Sequence, residues 1–222
     1  MTALEKALEN AGNAEDAEAL QRYGSRLLRH AAGFALETLD ALPAFTGDDL
    51  RRPTPCAGWD LWMLLRHLDD SLATLHEAVA LGTVRLDDPG TATPAAGEPG
   101  GLVAGLRERT RRLAAAWSDA DRDGRVVMVG GCPVMGGVVA GTGAVELAVH
   151  AWDVARTSGA ACEIPAPLAE RLLRLAPLLV PEHARQGLFR PPVAVPDGAA
   201  PGDRLVAFLG RDPGRSVQAL GA

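Results

Sequence analysis

The residues best placed to do chemistry sit in an otherwise apolar run. From Val145 to Ala155 the chain is nearly all alanine, valine, leucine and tryptophan, yet Glu146, His150, Asp153 and Thr157 recur at three- and four-residue spacing, with Thr142 just ahead of them. At about 100° per residue these side chains share one stripe of a helix. A helix so apolar elsewhere is buried, and a buried ionisable stripe needs a metal ion, a proton relay or a closed hydrogen-bond network. Glu146 and His150, four apart, can reach the same ion. His67, on the shoulder of an earlier helical pattern, is the candidate third ligand. Two histidines and one glutamate with an open position are a usual set for catalytic zinc. Asp153 is the candidate catalytic residue beside them, orienting a ligating histidine through its N–H or handling a proton. Ordinary alternatives stand next to each assignment. Glu146 could pair with Arg156 or Arg66, His150 could bond a backbone carbonyl, His67 could be an exposed helix residue, and Asp153 could pair with an arginine.

The elements that must position these groups are helical. Apolar residues at three- and four-residue spacing run from Glu15 to Leu42, where Pro43 ends the pattern. After a connection carrying Pro53 and Pro55, a second helix opens at Trp59 or Asp60 and runs to Leu81, with Leu61, Leu64, Leu65, Leu68, Leu72, Leu75 and Val79 as its core stripe. Residues 82–101, rich in glycine, proline, alanine and threonine, read as a long linker. A third helix is expected over 102–117. The stretch 125–143, with Gly130-Gly131-Cys132-Pro133 and Gly136-Gly137, is too glycine-rich to assign, although a helical end is compatible with the central helix that follows, which Ser158-Gly159 caps. A fifth helix is expected over 167–187, interrupted near Pro177 and Pro181. The expectation is an all-α four-helix bundle with a long crossover between helices two and three, an extra C-terminal helix and an extended tail. The divisions are a polar segment over 1–14, a metal-binding bundle over 15–190 and an arm over 191–222 that packs on it.

Bulk properties narrow the function. Among 222 residues the net charge is −6, and no basic stretch could neutralise phosphates, which argues against nucleic-acid binding. No apolar run nears the roughly 20 residues of a membrane span, and the polar, acidic start lacks the pattern of a signal peptide. Cys56, Cys132 and Cys162 are odd in number and widely spaced, giving neither a disulfide framework nor a metal knuckle. A cytoplasmic protein with reduced thiols is the expectation, monomer or homodimer, whose partner is a small-molecule substrate. Cys56 reads as a structural thiol; His30, His76 and His183 lack a carboxylate at ligand spacing.

Two segments together resemble a known family. Thr54-Pro55-Cys56-Ala57-Gly58-Trp59-Asp60 with Leu64-Leu65-Arg66-His67-Leu68, and Glu146-Leu147-Ala148-Val149-His150-Ala151-Trp152-Asp153-Val154-Ala155-Arg156, resemble the signatures of DinB-like metal-binding proteins. The similar branch is the N-terminal domain of mycothiol-dependent maleylpyruvate isomerase, and the chain reads as a single-domain member. The resemblance implies a DinB-like bundle holding zinc or another divalent metal on His67, Glu146 and His150, with mycothiol or a similar low-molecular-weight thiol as co-substrate. It implies thiol S-transfer or thiol-assisted isomerisation of a small electrophilic metabolite, so transferase or isomerase chemistry. The alternatives are a metal Lewis-acid tailoring enzyme that uses no thiol, and a non-catalytic zinc-binding or regulatory bundle.

Overall fold

A computed structural model describes residues 14–85, 99–119, 125–185 and 189–215. The polar segment expected over 1–14 lies, but for Ala14, outside the described residues, as do most of the 82–101 linker and the last residues of the arm. The described residues form six α-helices: α1 (Ala14–Ala41), α2 (Leu61–Leu81), α3 (Pro99–Asp119), α4 (Gly136–Ser158), α5 (Ala166–Leu179) and α6 (Pro201–Phe208). None of them is long and apolar enough to cross a membrane.

The first four make the bundle. α4 packs against α1 and α2, and α3 closes the ring by packing against the same two. Their stripes are the ones the spacing marks out: Leu27, Leu28, Ala31 and Phe34 from α1 meet Leu64, Leu68 and Leu72 from α2 and Leu147, Val154 and Ala151 from α4 in one core. Burying a leucine side chain there contributes about 1.5–3 kcal/mol, and such terms hold the frame. The helix ends follow side-chain and glycine chemistry. Asp60 caps α2 by accepting the Met63 N–H at 2.8 Å, and Gly82 closes it in the left-handed conformation at φ +67°. Gly159, at φ +77°, ends α4 in the same way.

α4 is buried on nearly every side because it is wedged between neighbours. Its glycine-rich first turns, left unassigned from the spacing, are helical. A Cβ on Gly137 would lie 2.3 Å from the Leu20 carbonyl oxygen, and one on Gly24 would lie 2.0 Å from that of Gly137. The backbones of α1 and α4 therefore touch, and their contact outweighs the roughly 1 kcal/mol of helix propensity each glycine loses.

Ahead of α4 the unassigned stretch holds strands, although the sequence shows almost no alternating pattern. Residues 126–135 form a β-hairpin, β2 (Val126–Val129) and β3 (Cys132–Met135), whose two-residue turn Gly130-Gly131 has φ of +54° and +82°. Only glycine adopts such a turn at no steric cost. Within the supposed linker, β1 (Thr83–Val84) pairs parallel to β2, with Val84 opposite Val129. Pro133 is tolerated because β3 is an edge strand.

The C-terminal region also differs. The expected fifth helix stops at Leu179, and a 3-10 turn follows at Glu182–Ala184. The arm contains the short helix α6, which packs on α5, so it is not extended throughout. Two arginines pin it. Arg185 donates to the Phe208 carbonyl at 2.9 Å and lies over the Phe208 ring, and Arg156 of α4 donates to the Pro213 carbonyl at 2.8 Å.

Candidate metal centre

The site is built where α2 faces α4. His67, two turns into α2, points across the interface at Glu146 of α4, and His150 stands one turn further along the same helix. The Nε2 atoms of both imidazoles lie 3.2 Å from a single carboxylate oxygen, Glu146 Oε2. One donor atom from each residue falls within 4.8 Å of the other two. Side chains from two helices converge here, the two imidazole rings edge-on at 4.9 Å, and their donors are the nitrogen and oxygen types that suit a borderline divalent cation. Among the described residues the ion-pair partners of Glu146 are His67 and His150. Arg156 instead reaches the tail and stacks on Trp152, with its guanidinium 5.0 Å from the ring centre.

The second nitrogen of His150 is fixed from behind. Nδ1–H donates to Asp153 Oδ2 at 3.0 Å, and Asp153 itself is wholly buried, at 0% exposure. A carboxylate there needs a cation. It is Arg211, also buried, whose Nη2 donates to Oδ2 at 3.0 Å and whose Nε lies 3.4 Å from Oδ1. Both readings of Asp153 thus hold together, since it orients a histidine and pairs with an arginine. With both oxygens engaged and no exposed surface, it touches no open cavity and can act only through His150, as a positioning residue. The two threonines of the stripe bond back to their own helix, Thr157 to the Asp153 carbonyl and Thr142 to that of Val138.

Electrostatics follow the same geometry. Burial pushes the Glu146 carboxyl up, but hydrogen bonds from His150 and His67 outweigh it and hold the group far below the usual carboxylate range. Burial lowers His150, yet its bonds to Asp153 and Glu146 prevail and raise it to about 9. Asp153 is lowered despite its burial, chiefly by the charge of Arg211. Without a cation the cluster is held together by a charged imidazole.

The loop before α2 supplies the wall. The buried Thr54 hydroxyl lies 3.0 Å from the carbonyl oxygens of both Cys56 and Trp59, its N–H donates to the Trp59 carbonyl, and Gly58 turns the chain at φ +82°. This tight turn sets the Trp59 ring nearly parallel to His150, at 13° with centroids 5.8 Å apart, and edge-on to His67 at 4.7 Å. Cys56 offers a sulfur close to His150 and Asp153. Burial raises its thiol above the ordinary value and so disfavours the reactive thiolate. His30 and His183 are exposed, and His76 lies near the Arg109 carbonyl; among the described residues none joins a ligand group.

On the other side of the ligand set a cavity of about 440 Å³ opens, with His67 and Glu146 in its lining. Neither Arg211 nor this cavity is visible in the spacing of the sequence. A fully buried aspartate one turn after His150 is itself the signal that a cation must come from elsewhere.

Comparison with known proteins agrees with this geometry. Residues 28–155, more than half of the chain, match the family model described as the mycothiol maleylpyruvate isomerase N-terminal domain, and the match includes His67, Glu146, His150 and Asp153. No curated protein and no solved structure matches the chain.

Proposed function

Because the chain belongs to the mycothiol maleylpyruvate isomerase N-terminal domain family, a DinB-like domain, we propose that it is a metal-dependent enzyme acting on a small electrophilic metabolite by thiol S-transfer or thiol-assisted isomerisation. One observation carries the reading: two imidazole nitrogens converge on the same Glu146 oxygen beside an open cavity. His67, Glu146 and His150 would hold the cation, and two imidazoles with one carboxylate suit zinc. When bound, such an ion supplies the positive charge that deprotonates a thiol near neutral pH.

The protein's own groups set the stage for that chemistry. Asp153 binds the Nδ1–H of His150, which leaves Nε2 as the donor atom, and Arg211 keeps Asp153 charged. Trp59 lies against both imidazoles, parallel to His150 and edge-on to His67. The cavity receives the metabolite with its electrophilic carbon toward His67 and Glu146. The S–H proton leaves to solvent, and the sulfur forms a C–S bond as the π bond of the attacked C=C breaks and its pair moves onto the conjugated carbonyl oxygen. In transfer, a leaving group departs with its electron pair. In isomerisation, the C–S bond breaks again after rotation and the thiol regains a proton.

The adjoining cavity favours an enzyme over a structural zinc site, since structural sites are closed. We place the enzyme in the cytoplasm, as a monomer or homodimer, with a small molecule as its partner. The test is metal content by elemental analysis together with consumption of a low-molecular-weight thiol in the presence of a maleimide or enone. Thiol consumption should vanish with a chelator and return with zinc. Consumption indifferent to the chelator would remove the proposal, and turnover of the electrophile without any thiol would favour the Lewis-acid alternative.

A further inference from the structure

We infer that a second cleft, between the loop ahead of α2 and the tail, binds a small organic anion whose head carries two negative charges, a phosphate monoester or a dicarboxylate. The cleft encloses about 690 Å³, within the usual range of roughly 300–1,000 Å³ for a small-molecule site, and none of His67, Glu146 and His150 lines it. Both walls are held by backbone. On the loop side Leu61 N–H donates to the Arg52 carbonyl and Thr54 N–H to that of Trp59, each at 3.0 Å. On the tail side Val193 N–H donates to the Ala207 carbonyl at 2.9 Å, and a Cβ on Gly210 would lie 2.8 Å from the Arg190 carbonyl oxygen. The tail segments on either side of α6 therefore touch backbone to backbone, which fixes the wall from which Arg190 extends.

Charge names the ligand. Arg51 lines the cleft from the loop and Arg190 and Arg215 from the tail, against the carboxylates of Asp60 and Asp212. Each carboxylate already has a backbone partner: Asp60 Oδ1 accepts the Met63 N–H, and Asp212 Oδ1 accepts the Gly214 N–H. Asp49, in the same turn as Arg51, pairs with Arg52. Among the described residues Arg51 and Arg190 make no ion pair, and both are exposed. Three guanidiniums thus gather in one cleft of a chain whose net charge is −6, and a divalent cation on the ligand set that Trp59 touches would add to the positive field. A guanidinium matches a phosphate or carboxylate with two parallel N–H donors, so one from the loop and one from the tail suit a doubly charged head. Pro53, Pro191, Val193 and Trp59 offer apolar surface to the rest of the molecule. An anion bridging Arg51 and Arg190 would tie the tail, which carries Arg211, to the loop that carries Trp59.

The experiment is calorimetry with phenyl phosphate, phenylsuccinate and phenol on the chelator-treated protein, where no metal can take the anion. Both anions should bind and phenol should not, and the tighter anion tells a phosphate ligand from a carboxylate one. Arg51→Gln and Arg190→Gln should each weaken binding by at least about fivefold, and added salt should weaken it as well. Hydrogen exchange should slow under phenyl phosphate in residues 49–60 and 189–215 together. Both arginines are exposed and lie outside the metal ligands, so the variants should keep the parent's circular dichroism and its zinc content. An anion that binds only after zinc is restored sits on the metal and overturns the inference. So do an affinity unchanged in either variant, phenol binding as tightly as the anions, protection confined to α2 and α4, or no binding at all. Each result leaves the proposed thiol chemistry untouched, because none of the measurements involves turnover.

Discussion

Arg211→Met is the perturbation that best separates this site from a chance cluster of polar residues. Asp153 is wholly buried, and its two oxygens have three partners: His150 Nδ1, Arg211 Nη2 and Arg211 Nε. Removing the guanidinium takes both Arg211 contacts away and leaves the buried carboxylate with its bond to His150. The methionine keeps most of the apolar stem, so the loss is electrostatic and not a cavity. Breaking a buried pair from one side costs about 3–5 kcal/mol. For a chain of 222 residues, at about 2–4 °C per kcal/mol, the melting temperature should fall by about 6–20 °C. Asp153→Asn should cost a similar amount, because it strands the arginine. The double variant removes both charges and should be more stable than the sum of the singles by at least about 1.5 kcal/mol. Circular dichroism melts and urea titrations with chelator present measure all four corners of the cycle without the metal's contribution. An Arg211→Met protein within about 1 kcal/mol of the parent, with an additive cycle, would mean that the tail and the site are independent and that Asp153 is held some other way.

Three further outcomes follow from the same geometry. His67→Ala, Glu146→Gln and His150→Ala should each abolish stoichiometric metal on purification, whereas Asp153→Asn should weaken zinc by about 10–100-fold and leave the site loadable, as competition with a chromophoric chelator would show. In the chelator-treated protein His150 is raised to about 9 from an ordinary 6.5, so its contribution to stability is complete below pH 6.5 and is lost as pH climbs through 9. Glu146 is lowered, so its contribution is present above its ordinary value of 4.5 and fades only as pH falls well beneath it. Stability without metal should therefore peak on the acid side of neutral. Added zinc, which must displace the His150 proton, should move the peak upward; calorimetry in buffers of different ionisation enthalpy should show proton release at pH 7, and a peak that stays put would contradict the assignment. Lastly, Gly137→Ala forces a Cβ to 2.3 Å from the Leu20 carbonyl oxygen and should destabilise by about 1–3 kcal/mol, while Gly33→Ala, with nothing within 4 Å, should stabilise by up to about 1 kcal/mol; melts of equal midpoint would show that the helix contact is not backbone on backbone.

The helices were legible because their signals are local. Leucines at three- and four-residue spacing, Asp60 ahead of α2, Gly82 behind it and Gly159 behind α4 act over a few residues and need no knowledge of the rest of the chain. The convergence of Glu146 with His150 was legible for the same reason, since one helix carries both. His67 could be placed on its helix's shoulder, and the family resemblance pointed to it, but spacing cannot say which helix it faces. The hairpin was hidden because its strands are four residues long, carry a proline and abut glycines, and such glycines read as breaks until the α1 backbone is seen against them.

Arg211 was hidden for another reason, and the reason is general. It lies 58 positions from Asp153, among many arginines that no spacing rule distinguishes. The physics still required it. An aspartate on the inward stripe of a helix buried on all sides cannot satisfy its charge with one imidazole N–H, because a carboxylate offers about four acceptor sites and pays a heavy cost for those left empty in the interior. The missing cation had to come from an element that packs on α4 at the level of His150. The segment after α6 brings it, as Arg211. That requirement makes the tail part of the site: it reaches the positioning residue behind His150, Arg156 of α4 holds it through the Pro213 carbonyl, and removing it should loosen metal binding before it unfolds the four helices.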